Sequence, residues 1–466
     1  MLFSSIPFLY YFLPAVILAY FVFPAKLKNA VLLFSSLFFY GWGEPKYLFL
    51  IIVSITTNYI AGLLVEKTKT KKLKRLFLVL SLIISLGLLG YFKYADFFIS
   101  SFNSVTGLQL PLLKIALPIG ISFYTFQTIS YTIDVYRGDT KAQKNLISFA
   151  SYVSMFPQLI AGPIVRYSDI AIQLEERSLS FNKFAEGARR FIFGLSKKIL
   201  IANSLGELCD IFKSSNEKAV LFYWLYAVAF SLHIYFDFSG YSDMAIGLGK
   251  IFGFDFLENF NYPYISKSIT EFWRRWHMSL GGWFRDYVYI PLGGNRVSKL
   301  RNFFNILVVW MLTGLWHGAA WNFVLWGLLF AFLLIIEKTF LLNFLKNSKV
   351  FSRIYTLVIV VISFVIFNAT DVGEAFEYIG AMFGAGKIPM VSSQLFYYFK
   401  SYFVTLVIAL FGSTPLLKNG IRKLKENEKT AKLLNIIEIP VLIALLIVIT
   451  AYLVDGSFNP FLYFRF

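Results

Sequence analysis

The residues best suited to proton transfer in this chain of 466 residues are its three histidines, and His317 has the most distinctive surroundings. It lies in Leu-Thr-Gly-Leu-Trp-His-Gly-Ala-Ala-Trp-Asn-Phe-Val-Leu-Trp-Gly at 312–327. An ionisable side chain inside an apolar, lipid-embedded stretch is costly, so it indicates function. An imidazole, with an ordinary pKa of about 6.5, can accept a proton from a hydroxyl as a general base. The alternative is a packing histidine, hydrogen-bonded between two helices.

Polar and aromatic neighbours surround this candidate. We predict that Trp316 and Asn322 support His317, and a helical stretch would place Trp321 one turn from it on the same face. Three glycines would let a second helix approach closely: Gly314, Gly318 and Gly327.

His277 is the second candidate, in Phe-Trp-Arg-Arg-Trp-His-Met-Ser-Leu at 272–280. It follows Arg274 and Arg275, whose guanidinium groups suit an anionic ligand. Interleaved Arg and Trp are also typical of an interfacial helix, so anchoring at the membrane surface is the alternative for the arginines. We predict a functional role for His277, because it lies 40 residues from His317 in a chain with few histidines.

A third pair, His233 and Asp237, is spaced four residues apart in an apolar segment. This spacing predicts a buried, mutually satisfied structural pair, although Asp237 could instead orient a catalytic imidazole on a neighbouring helix. Segment 184–201 carries Lys197 and Lys198 among apolar residues, which is typical of an amphipathic or cavity-lining helix.

The composition identifies the environment of these residues. Hydrophobic residues make up 58% of the chain and charged residues 15%, which is more apolar surface than a soluble domain of this length could cover. The net charge is +18, but the positive residues cluster in short loops between apolar runs, which indicates membrane topology and argues against nucleic-acid binding. The single cysteine, Cys209, and the scattered histidines predict no metal site.

Alternating basic and non-basic loops give an orientation. The apolar runs outside the middle of the chain are 3–24, 30–43, 47–65, 76–95, 111–134, 354–369, 400–417 and 436–454. Basic loops follow the first, third and fifth runs, which predicts that these loops are cytoplasmic and that both termini are extracytoplasmic. The first 25 residues hold no Lys or Arg, so we expect no cleaved signal peptide.

The middle of the chain is irregular. Between 150 and 345 the apolar stretches are interrupted by Gly, Pro and charge, as at 156–163 and 236–243. Such backbone is tolerated at membrane depth only where protein buries it or a wet cavity adjoins it. We predict re-entrant or tilted helices around a pore or funnel, in a single polytopic membrane domain over 1–466.

The last eight residues, Asn-Pro-Phe-Leu-Tyr-Phe-Arg-Phe at 459–466, include four aromatics. Disordered tails are poor in aromatics, so this terminus is predicted to dock, at the outer mouth of the protein. Simple interfacial anchoring by Phe and Tyr is the alternative.

Four blocks between 271 and 327 resemble the membrane-bound O-acyltransferase (MBOAT) family: Phe-Trp-Arg-Arg-Trp-His-Met-Ser-Leu, Trp-Phe-Arg-Asp-Tyr, Ile-Pro-Leu-Gly-Gly-Asn-Arg and Thr-Gly-Leu-Trp-His-Gly-Ala-Ala-Trp-Asn. The run Tyr-Phe-Asp-Phe-Ser-Gly-Tyr-Ser-Asp at 235–243, the opening Met-Leu-Phe-Ser-Ser and the tail are similar to its alginate O-acetyltransferase branch. The resemblance thus runs from end to end, and 271–327 is its most specific part.

The resemblance implies an all-α integral membrane protein in which eleven or more helices enclose a transmembrane funnel. It implies transfer of an acetyl group from cytoplasmic acetyl-CoA, with no bound cofactor, towards an acceptor reached from outside. His317 matches the near-invariant family histidine, and His277 matches a second, more variable catalytic position. We expect His317 to act as the base towards the hydroxyl and His277 to orient or polarise the thioester carbonyl.

Two further assignments complete the expected reaction: the phosphate ligands follow from the charge of the basic side chains, and the acyl acceptor follows from the resemblance of the tail. The residues expected to bind CoA phosphates are Arg274, Arg275, Lys197 and Lys198, and Tyr463 is the expected transient acyl acceptor. Such proteins act in the cytoplasmic membrane with an extracytoplasmic SGNH-hydrolase-like acetyltransferase, on a cell-surface polysaccharide. Two other functions stay open: D-alanyl transfer from a carrier-protein thioester to teichoic acid, and transport of a polymer precursor without chemistry.

Overall fold

Helices make up all the regular structure that the computed structural model describes, which covers residues 1–160 and 162–456. An apolar helix satisfies its own backbone hydrogen bonds, the condition for crossing a bilayer. Seven described helices are long and apolar enough to span a membrane: Pro45–Lys67, Lys71–Thr106, Val220–Ile251, Trp321–Leu345, Lys349–Asn368, Ser393–Gly412 and Glu428–Val454. The predicted all-α, multi-pass membrane protein is confirmed.

Two of the predicted apolar runs need correction. The run 111–134 is only partly helical, because residues 107–118 are irregular and the helix Ile121–Arg137 begins after Gly120, which has a φ of 75°. The run 400–417 is divided: one helix ends at Gly412, and the helix Leu416–Lys425 begins directly after Pro415. Gly120 and Pro415 therefore mark where helices begin inside runs that hydrophobicity alone would treat as continuous.

The chain divides into two compact units. The first unit holds Met1–Phe191 and Ser242–Leu257, and aromatic rings such as Phe8, Phe39 and Phe156 form part of its core. The second unit holds Ile192–Tyr241 and the described part of Glu258–Phe466, and it contains all three histidines. A single domain over 1–466 stays a prediction.

The irregularity predicted between 150 and 345 is present around His277 and absent at 236–243, and the second unit has further irregular backbone at 369–371 and 388–392. The short helices Ile269–Trp273 and Met278–Phe284 carry the motif around His277. By contrast, the predicted interruption at 236–243 is wrong, since these residues lie inside the continuous helix Val220–Ile251. That helix tolerates the charge of Asp237 because a lysine side chain neutralises it.

Candidate active site

His277 is held in an unusual backbone conformation. Its φ of 45° is left-handed, which costs a non-glycine residue about 1–2 kcal/mol. Its Nδ1 caps the helix Met278–Phe284 by accepting a hydrogen bond from the Leu280 backbone N–H at 3.3 Å. The Asn259 carbonyl accepts from the Met278 N–H at 3.0 Å. The fold therefore fixes the position of this imidazole.

The proton of His277 can be assigned. Burial lowers the pKa of His277 to about 3, so the imidazole is neutral at physiological pH. Because Nδ1 accepts a hydrogen bond, the single proton lies on Nε2. Nε2 is buried and has no hydrogen-bond partner within residues 1–160 and 162–456. His277 thus offers one fixed N–H donor.

Two aromatic rings enclose the His277 imidazole. The Phe238 ring lies 4.6 Å away between centroids, and the Trp316 indole lies 5.7 Å away at an interplanar angle of 86°. Phe238 comes from the helix Val220–Ile251, and Trp316 precedes His317 in the chain. The sequence did not predict the role of Phe238.

His317 is the last residue of the helix Lys299–His317 and is buried among aromatic rings. Its ring centroid lies 5.0 Å from that of Trp316 and 5.2 Å from those of Trp326 and Phe367. Trp316 therefore contacts both histidines. The Trp316 indole thus links the two imidazoles, while His317 itself is not part of the cavity lining beside His277, and the catalytic roles of both histidines stay predictions.

The stretch 312–327 is not one helix. It breaks after His317, and a new helix begins at Trp321, so the predicted one-turn relationship of Trp321 to His317 is wrong. The close helix approach is confirmed, because a Cβ at Gly314 would collide with the Phe323 carbonyl oxygen and one at Gly327 with that of Trp310. Gly318 ends the first helix in an extended conformation.

Asn322 supports the site indirectly. Its side chain is buried and donates hydrogen bonds to the carbonyls of Ala369, at 2.9 Å, and Ile366, at 3.4 Å. These bonds hold the end of the helix Lys349–Asn368, which carries Phe367, beside His317. A polar side chain at this depth needs such partners.

A cavity of about 440 Å³ adjoins His277. Its wall is largely apolar and includes Trp273, Trp276, Trp310 and Thr313. Thr313 lies one helical turn before His317. The described lining contains no acidic residue, and its cations are Arg274, Arg285 and Lys338. A cavity with these cations suits a ligand with an apolar arm and an anionic end.

The three cations of the cavity lining differ in the bonds that their side chains already make. Arg274 is exposed and has no acidic partner in the part of the chain that the structure describes. Arg285 forms an ion pair with Asp286 at 2.6 Å, and this carboxylate raises the pKa of Arg285. Lys338 donates a hydrogen bond to Asn302. Sequence reasoning found Arg274 and missed the other two.

The other predicted cations lie outside this lining. Arg275 pairs with Glu271 at 2.9 Å and also donates to the Asn261 carbonyl. Lys198 is buried and pairs with Asp237 at 2.6 Å, which argues against its predicted contact with a phosphate. Lys197 is half-buried at the start of the π-helical turn Lys197–Ala202. Of the four predicted phosphate ligands, only Arg274 lines the cavity.

The expected pairing of His233 with Asp237 needs correction. His233 Nδ1 bonds to the Ala202 carbonyl at 2.7 Å, and Asp237 forms its ion pair with Lys198. Both contacts tie the helix Val220–Ile251 to the π-helical turn Lys197–Ala202. Asp237 therefore supports the site through helix packing, one residue from Phe238, which contacts His277.

Glu337 is a buried carboxylate that sequence reasoning missed. Its two oxygens accept hydrogen bonds from the backbone N–H groups of Ile269, at 2.6 Å, and Thr270, at 2.8 Å. The Thr270 hydroxyl also donates to it at 2.6 Å. Glu337 thus fixes the helix Ile269–Trp273 that leads to His277. An acidic residue inside an apolar run is the signal that could have found it.

The expected lack of a metal and the expected acyl acceptor are the two remaining predictions for the site. No group of three His, Cys, Asp or Glu residues placed to bind a metal occurs among the residues described. Tyr463, the expected acyl acceptor, and the rest of 459–466 lie outside the described residues.

Comparisons with known proteins identify the family of the chain. The sequence pattern of the MBOAT, membrane-bound O-acyltransferase family matches residues 141–372, which include both His277 and His317. The chain is 40% identical to a probable alginate O-acetylase AlgI of Azotobacter vinelandii, over 100% of both chains. It is 35% identical to a peptidoglycan O-acetyltransferase of Helicobacter pylori, over 84% of this chain and 81% of that protein. It is 31% identical to a teichoic acid D-alanyltransferase of Bacillus subtilis, over 48% of this chain and 59% of that protein.

Proposed function

This chain belongs to the membrane-bound O-acyltransferase family, and we propose that it takes an acetyl group from cytoplasmic acetyl-CoA and passes it towards hydroxyls of an extracytoplasmic polysaccharide. The observation that carries the proposal is a cavity lined by three cations and by His277, a residue whose backbone contacts fix its buried Nε2–H. The names of the relatives support acetyl as the acyl group.

The cavity supports an acyl thioester as donor. Its volume of about 440 Å³ lies within the usual range for small-molecule pockets, about 300–1,000 Å³. The apolar wall suits the pantetheine arm of CoA, and Arg274, Arg285 and Lys338 suit its phosphates. Lys338 lies near the end of the span Trp321–Leu345 and, with Lys346, Lys349 and Arg353, forms a basic cluster before the run 354–369, which indicates the cytoplasmic side.

We assign the roles in the reaction as follows. The acceptor hydroxyl oxygen attacks the thioester carbonyl carbon while its proton passes to the His317 imidazole. The Nε2–H of His277 donates to the carbonyl oxygen, where negative charge develops. The C–S bond breaks, the sulfur takes the proton from His317, and an ester and a thiol are released. Trp316, in contact with both imidazoles, would hold the two rings in their relative position.

The acceptor side of the proposal rests on the family resemblance. An extracytoplasmic SGNH-hydrolase-like partner would complete transfer to the polysaccharide, and Tyr463 would hold the acyl group in transit. The basic loops support a cytoplasmic membrane location with both termini outside. A D-alanyl donor is the second candidate, favoured by the likeness to the D-alanyltransferase.

Donor competition tests the proposed function. The purified chain in nanodiscs would be given radiolabelled acetyl-CoA or a D-alanyl carrier protein, and thioester cleavage would be followed. We expect cleavage of acetyl-CoA, with a raised KM for Arg274→Gln and a smaller change for Arg275→Gln, the neighbouring arginine outside the cavity. Cleavage of the D-alanyl thioester alone would replace the proposed donor. Cleavage of neither, with the partner present, would overturn acyl transfer from a thioester.

A further inference from the structure

The helix Leu416–Lys425 presents two chemically distinct faces. At about 100° per residue, Leu416, Leu417, Ile421 and Leu424 fall within an arc of about 140°. The positively charged residues on the remaining arc are Lys418, Arg422, Lys423 and Lys425. The helix contains no acidic residue. It is therefore apolar along one side and cationic along the other.

The apolar face of this helix is not covered by the described chain. Its four aliphatic side chains are between 48% and 61% exposed. A contiguous exposed apolar stripe beside a basic one is typical of helices that lie in the plane of a membrane interface. The exposed apolar stripe and the basic face of Leu416–Lys425 therefore both match a lipid surface.

The neighbouring elements bring this helix to the bilayer boundary. Three residues separate the end of the span Ser393–Gly412 from this helix, and two residues separate the helix from the start of the span Glu428–Val454. Two short turns leave the helix no room to move far from the ends of two membrane spans. The apolar stripe can thus enter the acyl region while the cations meet the headgroups.

We propose that Leu416–Lys425 lies on the membrane leaflet and binds anionic phospholipid headgroups. Lys418, Arg422, Lys423 and Lys425 contact the phosphates, and Leu416, Leu417, Ile421 and Leu424 insert beneath them. This binding surface is separate from the cavity beside His277 and does not depend on the proposed acyl transfer.

Depth measurement on the full chain tests the proposal. Cys209 is the only cysteine, so Cys209→Ala gives a background for one introduced label. An environment-sensitive fluorophore would be attached at Leu424→Cys, on the apolar stripe, or at Asn419→Cys, on the opposite side. Nanodiscs with one chain each would contain nitroxide-labelled acyl chains, with zwitterionic or partly anionic lipid.

The proposal predicts strong nitroxide quenching at position 424, weak quenching at 419, and stronger quenching at 424 with anionic lipid. Replacing the four cations of Leu416–Lys425 with Gln would abolish the increase in quenching at position 424 that anionic lipid causes. The matched control, with Lys67, Lys69, Lys71 and Lys72 replaced by Gln, would retain it. Equal quenching at 424 and 419 would overturn insertion, and quenching at 424 that ignores lipid charge would overturn headgroup binding. A label at 424 shielded from both nitroxide and aqueous iodide would instead indicate a protein contact.

Discussion

The imidazole of His277 and the indole of Trp316 meet edge to face, with ring centroids 5.7 Å apart, and the same indole contacts His317 at 5.0 Å. One aromatic residue thus joins the histidine beside the cavity to the histidine at the end of the helix Lys299–His317. The site therefore combines a fixed N–H donor and a second imidazole around a rigid ring.

Replacing His277 with Gln should preserve more activity than replacing it with Ala. A Gln amide can present an N–H near the position of Nε2, whereas Ala cannot, and removing one such donor costs about 10²–10³-fold in kcat in other enzymes. Single-turnover rates of thioester cleavage would be compared for both variants. Equal activity of His277→Ala and the unmodified chain would contradict the donor role.

The neutral state of His277 predicts a pH effect on stability. Its pKa is lowered from the ordinary 6.5 to about 3 by burial, so the unfolded chain binds more protons between these values. The contribution of His277 to stability is therefore complete above pH 6.5 and is lost as the pH falls towards 3. Thermal unfolding in detergent from pH 7 to 4 should show a smaller loss for His277→Gln. An identical pH slope would contradict the burial of a neutral imidazole.

Glu337 should act as a positioning residue. Glu337→Ala leaves the N–H groups of Ile269 and Thr270 without their acceptors, at about 1–3 kcal/mol each when buried. Glu337→Gln keeps one acceptor and should lose less. We expect Glu337→Ala to lower kcat and the single-turnover rate of thioester cleavage, because His277 is no longer held in position. The exposed control Glu377→Gln should change neither quantity. A loss of stability with unchanged kcat in the folded fraction would leave Glu337 a purely structural role.

The buried pair of Lys198 and Asp237 should behave as a unit. Removing one partner, as in Lys198→Met, leaves an uncompensated buried charge and costs about 3–5 kcal/mol. The double variant Lys198→Met with Asp237→Leu should recover most of this loss in thermal unfolding. If Lys198→Met instead raised the KM for the donor with no loss of stability, the phosphate role predicted from the sequence would be restored.

Many residues of this candidate site could be predicted from the sequence, because histidines and tryptophans are scarce and their motifs are distinctive. His277, His317 and Trp316 were found in this way. The partners of His233 and Asp237 could not be predicted in this way. Four-residue spacing shows which side chains share a helix face, but it does not show that a neighbouring helix provides Lys198 and the Ala202 carbonyl. Trp321 was misplaced because the break at Gly318 leaves no hydrophobic signature. The role of Glu337 could be predicted only by knowing that the helix Ile269–Trp273 begins next to its carboxylate.

The most direct test is turnover of radiolabelled acetyl-CoA by the purified chain and its His317→Ala variant, with a hydroxyl acceptor and the proposed partner transferase present. We predict that His317→Ala loses acetyl transfer by about 10²-fold or more, the usual contribution of a general base, while still binding acetyl-CoA. Trp321→Phe, an exposed aromatic control, should transfer normally. Undiminished transfer by His317→Ala would contradict the central claim that His317 activates the acceptor.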